Sequence, residues 1–182
     1  MKNIVFVTGN QNKADYLAKF LGHPIDHEKI DLDEIQSLRL KEIIEHKVRQ
    51  AYQKIKKPVI VEDVSLEFEA LGKLPGPFIR FFVDQMPFHN ICDLLNGKSR
   101  KATARCAIGY YDGKTLKIFE KKLVGEIAKK PAGKNGFDWD HFFIPTGYTM
   151  TRASLSEKDY EKTYLQIRPI AQLRKFLQQQ NT

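Results

Sequence analysis

A chain of 182 residues that is 42% hydrophobic and 29% charged is long enough to bury its own core. It is too apolar to be a disordered tail and has the composition of neither a collagen nor a repeat array. Its 30 Lys and Arg against 22 Asp and Glu leave a formal charge of +8, which favours anionic partners without choosing among nucleic acid, acidic lipid and phosphorylated small molecules.

The apolar runs fall far short of the roughly 20 residues that span a bilayer, so no membrane partner is expected. Residues 1–7 do not read as a secretory leader. Cys92 and Cys106 have no CxxC spacing and read as reduced thiols of a cytoplasmic protein. In chain order, Ile4, Val5, Phe6 and Val7 form a continuous β-branched and aromatic run, the pattern of a buried strand, which ends at Thr8-Gly9-Asn10. Ala14, Leu17, Ala18 and Leu21 then recur at helical spacing until Gly22. Leu40, Ile43, Ile44, Val48, Ala51 and Ile55 predict a second helix over 38–55, its apolar stripe broken by Lys47. Residues 58–61 read as another buried strand running into Glu62-Asp63. Residues 71–77 are expected to be an irregular loop, 78–82 a bulky segment, and 90–95 a short helix. Residues 102–111 and 115–122, joined through Asp112-Gly113, predict a hairpin. The Gly-, Pro- and aromatic-rich stretch 125–148 is expected to form loops around a site. A last helix starts near Arg168-Pro169 and buries Ile170, Ala171, Leu173 and Leu177, and residues 178–182 read as a frayed end. This alternation describes a mixed α/β chain with a long central sheet.

Four groups of residues carry chemistry. Thr8-Gly9-Asn10-Gln11-Asn12-Lys13 combines a strand end, a Gly turn, a helix N-terminus and a lysine one turn in. That arrangement suits an anion, although it also serves as a plain structural turn. Asp31, Asp33 and Glu34, with Glu62-Asp63 after a strand, could share Mg²⁺ through oxygen ligands or form a solvated acidic edge. Gly136-Phe137-Asp138-Trp139-Asp140 with Phe142-Phe143 could stack a purine or pack as an aromatic mini-core. Lys162 and Arg168 are two cations near the last helix.

In this order, Thr8-Gly9-Asn10-x-x-Lys13, Asp31-Leu32-x-Glu34-Ile35-Gln36, Val61-Glu62-Asp63-x-x-Leu66, Ala70-Leu71-Gly72-x-Leu74-Pro75-Gly76-Pro77-Phe78-Ile79, Gly125-Glu126-Ile127 and Gly136-Phe137-x-Trp139-Asp140 resemble the inosine triphosphate pyrophosphatase family. The resemblance covers essentially the whole chain, residues 1–182, as one domain with two lobes. It implies an elongated α/β fold around a long mixed β-sheet flanked by helices, with the active cleft between the lobes. It also implies hydrolysis of non-standard purine nucleoside triphosphates (ITP, dITP, XTP) to the monophosphate and pyrophosphate, a Mg²⁺ requirement and a homodimer. By motif match, Asp63 is the catalytic carboxylate and holds Mg²⁺ together with Glu34. Thr8, Gly9, Asn10, Lys13 and Lys47 cradle the triphosphate. Phe137, Trp139 and Asp140 line the base pocket, which Lys162 and Arg168 close.

The chain departs from the family pattern in a few places. The family's Ser-His-Arg before the last helix reads Gln166-Ile167-Arg168 here, which implies an altered or relaxed base preference. Tyr16, Val64 and Ala132 replace the usual Glu, Ser or Thr, and Arg. Two alternatives follow: a pyrophosphatase redirected to another base, and a nucleotide- or nucleic-acid-binding protein without turnover, contacting a polyanion through the lysines of 98–101, 121–122 and 129–130. The placement of charge in the motifs favours the nucleotide over nucleic acid.

Overall fold

The computed structural model describes residues 4–22 and 25–180. Strand β1 (Val5–Val7) and strand β3 (Val59–Phe68) are apolar runs, and their residues 5–7 and 59–61 pair in parallel, Val7 opposite Val61. Strand β2 (Asp26–Glu28), which the sequence pattern does not mark, pairs parallel to the other side of β1. The remaining strands are β4 (Pro75–Gly76), β5 (Lys101–Tyr111), β6 (Leu116–Ile127) and β7 (Phe143–Pro145). Together they form one sheet in the order β2-β1-β3-β5-β6-β7, with β4 attached to β3. The helices are α1 (Gln11–Leu21), α2 (Leu40–Ile55), α3 (Ile79–Gln85), α4 (Phe88–Asp93), α5 (Glu157–Ile167) and α6 (Ile170–Gln179). The mixed α/β architecture is therefore as expected. Among the described residues, no helix is long and apolar enough to cross a membrane.

The described residues cluster into two compact units. The first comprises residues up to Asp63, Cys106–Glu120 and the segment from Arg168 onward. The second comprises Val64–Arg105 and Lys121–Ile167.

In the first unit, strand alternation sorts the side chains. Val5, Val7, Val59, Val61 and Ala107 pack with Leu40, Ile44, Val48 and Ala51 of α2. The alternate positions include Tyr110, whose ring meets Phe176 of α6 edge-on at 5.0 Å. Helix α1 buries Ala14, Leu17 and Leu21, and Gly22 ends it in the left-handed conformation (φ 78°) that glycine adopts without strain. Gly109 of β5 faces α2 so closely that a Cβ there would lie 2.5 Å from Ile44 Cγ2. Ile44 is β-branched and fully buried and has little room to yield. Gly109→Ala is therefore expected to destabilise the fold by about 1–3 kcal/mol, read as a lower thermal midpoint. An unchanged midpoint would show that α2 can shift to accommodate the methyl.

In the second unit, β4 runs antiparallel to β3 (Leu66 opposite Gly76) and β7 antiparallel to β6 (Gly125 opposite Pro145). Two expectations are corrected here. Residues 71–77 are not wholly irregular, because Pro75 and Gly76 complete β4. The 125–148 stretch likewise contains the end of β6, a 3-10 turn (Asp138–His141) and β7. Helix α5 adds to the elements expected from the sequence, and its start has a local signature. Ser156 Oγ accepts from the Asp159 backbone N–H at 3.2 Å and donates to the Asp159 carboxylate at 2.8 Å, the side-chain exchange of a helix start.

In α6 the buried face is Ile170, Leu173, Phe176 and Leu177, while Ala171 is exposed. Gln178 and Gln179 are the last residues of that helix rather than a frayed end. Residues 1–3, Asn181 and Thr182 lie outside the described residues.

Both cysteines are unpaired and buried. Burial pushes the Cys92 thiol up to about 11 and the Cys106 thiol well above its ordinary value, so neither is a ready nucleophile. Part of the positive charge is structural. Arg100 donates to the carbonyls of Cys92, Leu95, Ile127 and Ala128, and Lys98 and Lys121 donate to the carbonyls of Leu94 and Leu165 near helix ends.

Candidate active site

The parallel pairing of β1 with β3 stops at Val7 and Val61, and β3 continues past the end of β1. Glu62 and Asp63 are the first residues beyond that point, in mid-strand rather than at a strand end. Because successive strand side chains alternate, the two carboxylates go to opposite faces. Each then organises a cluster in the first unit.

Asp63 shares its face with Val61 and therefore meets α2. Lys47 Nζ lies 3.1 Å from Asp63 Oδ2 and 2.7 Å from Glu34 Oε1. This explains why a lysine interrupts the apolar stripe of α2: its ammonium reaches two carboxylates. Burial works against that ammonium, but the charge of Asp63 and the hydrogen bond and charge of Glu34 outweigh it and hold its pKa above the ordinary lysine value. The acidic segment 31–34 has no regular structure, and the same helix face clasps it. Gln50 exchanges two hydrogen bonds with Asp33, and Lys54 donates to the Asp31 carbonyl. Lys47, Gln50 and Lys54 are spaced three and four residues apart, which is the spacing of one helix face.

Glu62 shares its face with Ile60 and meets α1 and the start of α6. Its side chain is 1% exposed. Oε1 pairs with Lys13 Nζ at 3.4 Å, and Oε2 accepts from Arg168 Nε at 3.2 Å. Glu62, grouped in the sequence with the acidic residues that could share Mg²⁺, instead meets two cations, as a carboxylate on the buried face of a central strand demands. The turn before α1 is self-bracing. The Asn10 N–H donates to Thr8 Oγ1 at 3.1 Å, and Asn10 Oδ1 accepts from the Lys13 N–H at 3.2 Å as the helix N-cap. Gly9 is exposed beside this brace.

In the second unit, Trp139 and Asp140 are buried in the 3-10 turn and Phe137 is half-buried just before it. Asp140 Oδ2 accepts from Tyr160 OH at 2.7 Å and from the Phe137 N–H at 3.2 Å, while Oδ1 pairs with Arg152 Nη1. Lys162 is exposed on α5. Arg152 and Tyr160, the partners of Asp140, belong to none of the sequence motifs. The pairing is tertiary and has no local spacing to betray it. Arg168, expected at the base pocket, lies in the first unit against Glu62.

Residues 4–177 match the Ham1 family. The chain belongs to that family. It is 32% identical over 183 residues to an inosine triphosphate pyrophosphatase of Schizosaccharomyces pombe, covering 98% of this chain and 96% of the relative. It is 37% identical over 161 residues to inosine triphosphate pyrophosphatase 2 of Trypanosoma cruzi, covering 86% and 82%. The fold of this Ham1-family chain is that of the Staphylococcus aureus Ham1 protein (TM-score 0.78, 26% identity, 97% and 99% covered). A HAM1 protein from Coxiella burnetii has the same fold (TM-score 0.82, 22% identity, 98% and 100% covered).

Of this member's departures from the family pattern, Ile167 is buried and Gln166 exposed at the end of α5, and Tyr16 stacks on Phe20 within α1.

Proposed function

We propose that this chain hydrolyses non-standard purine nucleoside triphosphates to the monophosphate and pyrophosphate, with Asp63 as the catalytic carboxylate. The observation that supports it best is the meeting of Lys47 with Glu34 and Asp63, just where the parallel sheet ends, in a chain whose relatives are named inosine triphosphate pyrophosphatases. Ligands of open α/β sheets bind beyond the carboxyl ends of the parallel strands.

Glu34 and Asp63 are chemically suited to hold Mg²⁺. Both are hard oxygen donors, and one oxygen of each already converges on a single cationic nitrogen. When bound, the ion offsets charge on the triphosphate oxygens. The chain's own residues do the rest. Thr8, Gly9, Asn10 and Lys13 meet the phosphates at the N-terminus of α1, and Lys47 adds a second cation whose position is fixed before substrate arrives. Asp63 accepts the proton of the water that attacks the α-phosphorus, and the bond to the β-phosphate oxygen breaks to release pyrophosphate. Phe137, Trp139 and Asp140 receive the base, which Lys162 and Arg168 enclose. The chain acts as one two-lobed domain, as a homodimer and in the cytoplasm.

The test is a product assay over ITP, dITP, XTP, GTP and ATP with and without Mg²⁺. Pyrophosphate release from ITP, dITP and XTP that ceases on chelation is expected. Release of orthophosphate, or no turnover of any of the five, refutes the reading.

A further inference from the structure

We propose that Arg152 sets the base preference. Its Nη2 group is the donor that selects a purine carrying an oxygen acceptor at position 6 over one carrying an amino group there. The inference rests on the functional reading above and deepens it.

Arg152 sits in a 3-10 turn (Arg152–Ser154), and its side chain is 1% exposed. Nη1 donates to Asp140, and Nε donates to Thr163 Oγ1 at 3.0 Å. The rings of Tyr160 and Trp139 lie 4.5 and 5.5 Å from Cζ. The guanidinium is thus held in place before any ligand arrives. Nη2 is the one nitrogen of the three that is buried without a hydrogen-bond partner. A buried donor left unmet is unfavourable, and an acceptor brought by a ligand relieves it.

The neighbouring carboxylate of Asp140 is already engaged at both oxygens. Asp140 Oδ1 holds Arg152, and Oδ2 takes Tyr160 OH and the Phe137 N–H. To a newcomer this cluster therefore offers a positively charged donor. A 6-oxopurine presents O6 and N7, the pair of acceptors that arginine reads on guanine. A 6-aminopurine presents an N–H group to another N–H group. Gln166 and Ile167, at the positions of the family's Ser-His, do not make this distinction. Ile167 is apolar and buried, and the exposed Gln166 amide donates and accepts alike.

The experiment compares kcat/KM for ITP, ATP and the triphosphate of unsubstituted purine, using wild type, Arg152→Met and Arg152→Met/Asp140→Asn. The double variant removes the buried carboxylate's charge together with its partner. The fluorescence of Trp139, the one tryptophan in the chain, reports whether each variant is folded. Wild type is expected to favour ITP by about 100-fold over the other two, and the preference to fall at least about tenfold in either folded variant. If all three substrates decline together and the ITP-to-ATP ratio holds, Arg152 is only structural and the proposal is overturned. Should neither variant fold, wild type decides alone: a clear lead for ITP over unsubstituted purine supports the donor, and equal turnover of the three overturns it. Absence of pyrophosphate release by wild type from any of the three overturns the functional reading, and this inference with it.

Discussion

Asp63→Asn is expected to lower kcat for pyrophosphate release by about 10²–10⁴-fold, with the thermal midpoint nearly unchanged. The substitution keeps the shape of the side chain and an oxygen toward Lys47, but removes the charge and the basic site for the proton of water. Lys47 retains Glu34 at 2.7 Å, so its ammonium stays anchored. Asp63 is 21% exposed, so water can solvate part of what is lost, and the fold does not hang on this pair. Steady-state kinetics with ITP, alongside a thermal melt, separate the two effects. A variant that keeps full activity removes Asp63 from the chemistry. One that melts far below wild type shows that its role is to hold α2 to β3.

Glu62→Ala has the opposite expected signature, with the main effect on stability. The Glu62 carboxylate is 1% exposed, and its partners Lys13 and Arg168 are 15% and 2% exposed. Removing one member of a buried charge cluster leaves the others without that compensation, and such losses run to about 3–5 kcal/mol. For a chain of this size that is a fall of about 10 °C in the thermal midpoint. Glu62→Gln, which keeps the volume and one acceptor, is expected to fall between wild type and Glu62→Ala. A midpoint for Glu62→Ala equal to that of wild type would mean that water or another carboxylate takes over both cations. The neighbouring residues Glu62 and Asp63 thus yield a stability variant and an activity variant, because strand alternation sends them to different faces.

Elements whose signal is local and periodic could be read directly. The α1 stripe with its Gly22 stop, the α2 stripe, the β1 run and strand β5 appear close to their expected bounds, whereas β3 runs on to Phe68 and β6 to Ile127, past the expected ends at 61 and 122. Strand β2 (Asp26–Glu28) is polar and exposed, and it exists because its backbone pairs with β1 rather than because of its side chains. Helix α5 has its apolar positions mixed with charge, so its start is marked only by the Ser156–Asp159 exchange. The Pro75-Gly76 pairing is too short to carry any periodicity.

The chain order of charges and glycines by itself determined a great deal: a mixed α/β sheet, an anion-suited turn at Thr8–Lys13, acidic residues at 31–34 and at Glu62-Asp63, and the family to which these belong. It also flagged Lys47 as out of place in an apolar stripe. Tertiary structure decided which charge meets which. Lys47 joins Glu34 and Asp63, whereas Lys13 and Arg168 join Glu62, and Arg152, which no motif marks, closes on Asp140. The reason is physical. Periodicity is a property of neighbours along the chain, while an ion pair between residues as distant as 62 and 168 depends on where the sheet and helices carry them. Their burial, which makes such pairs strong, comes only with the packed fold.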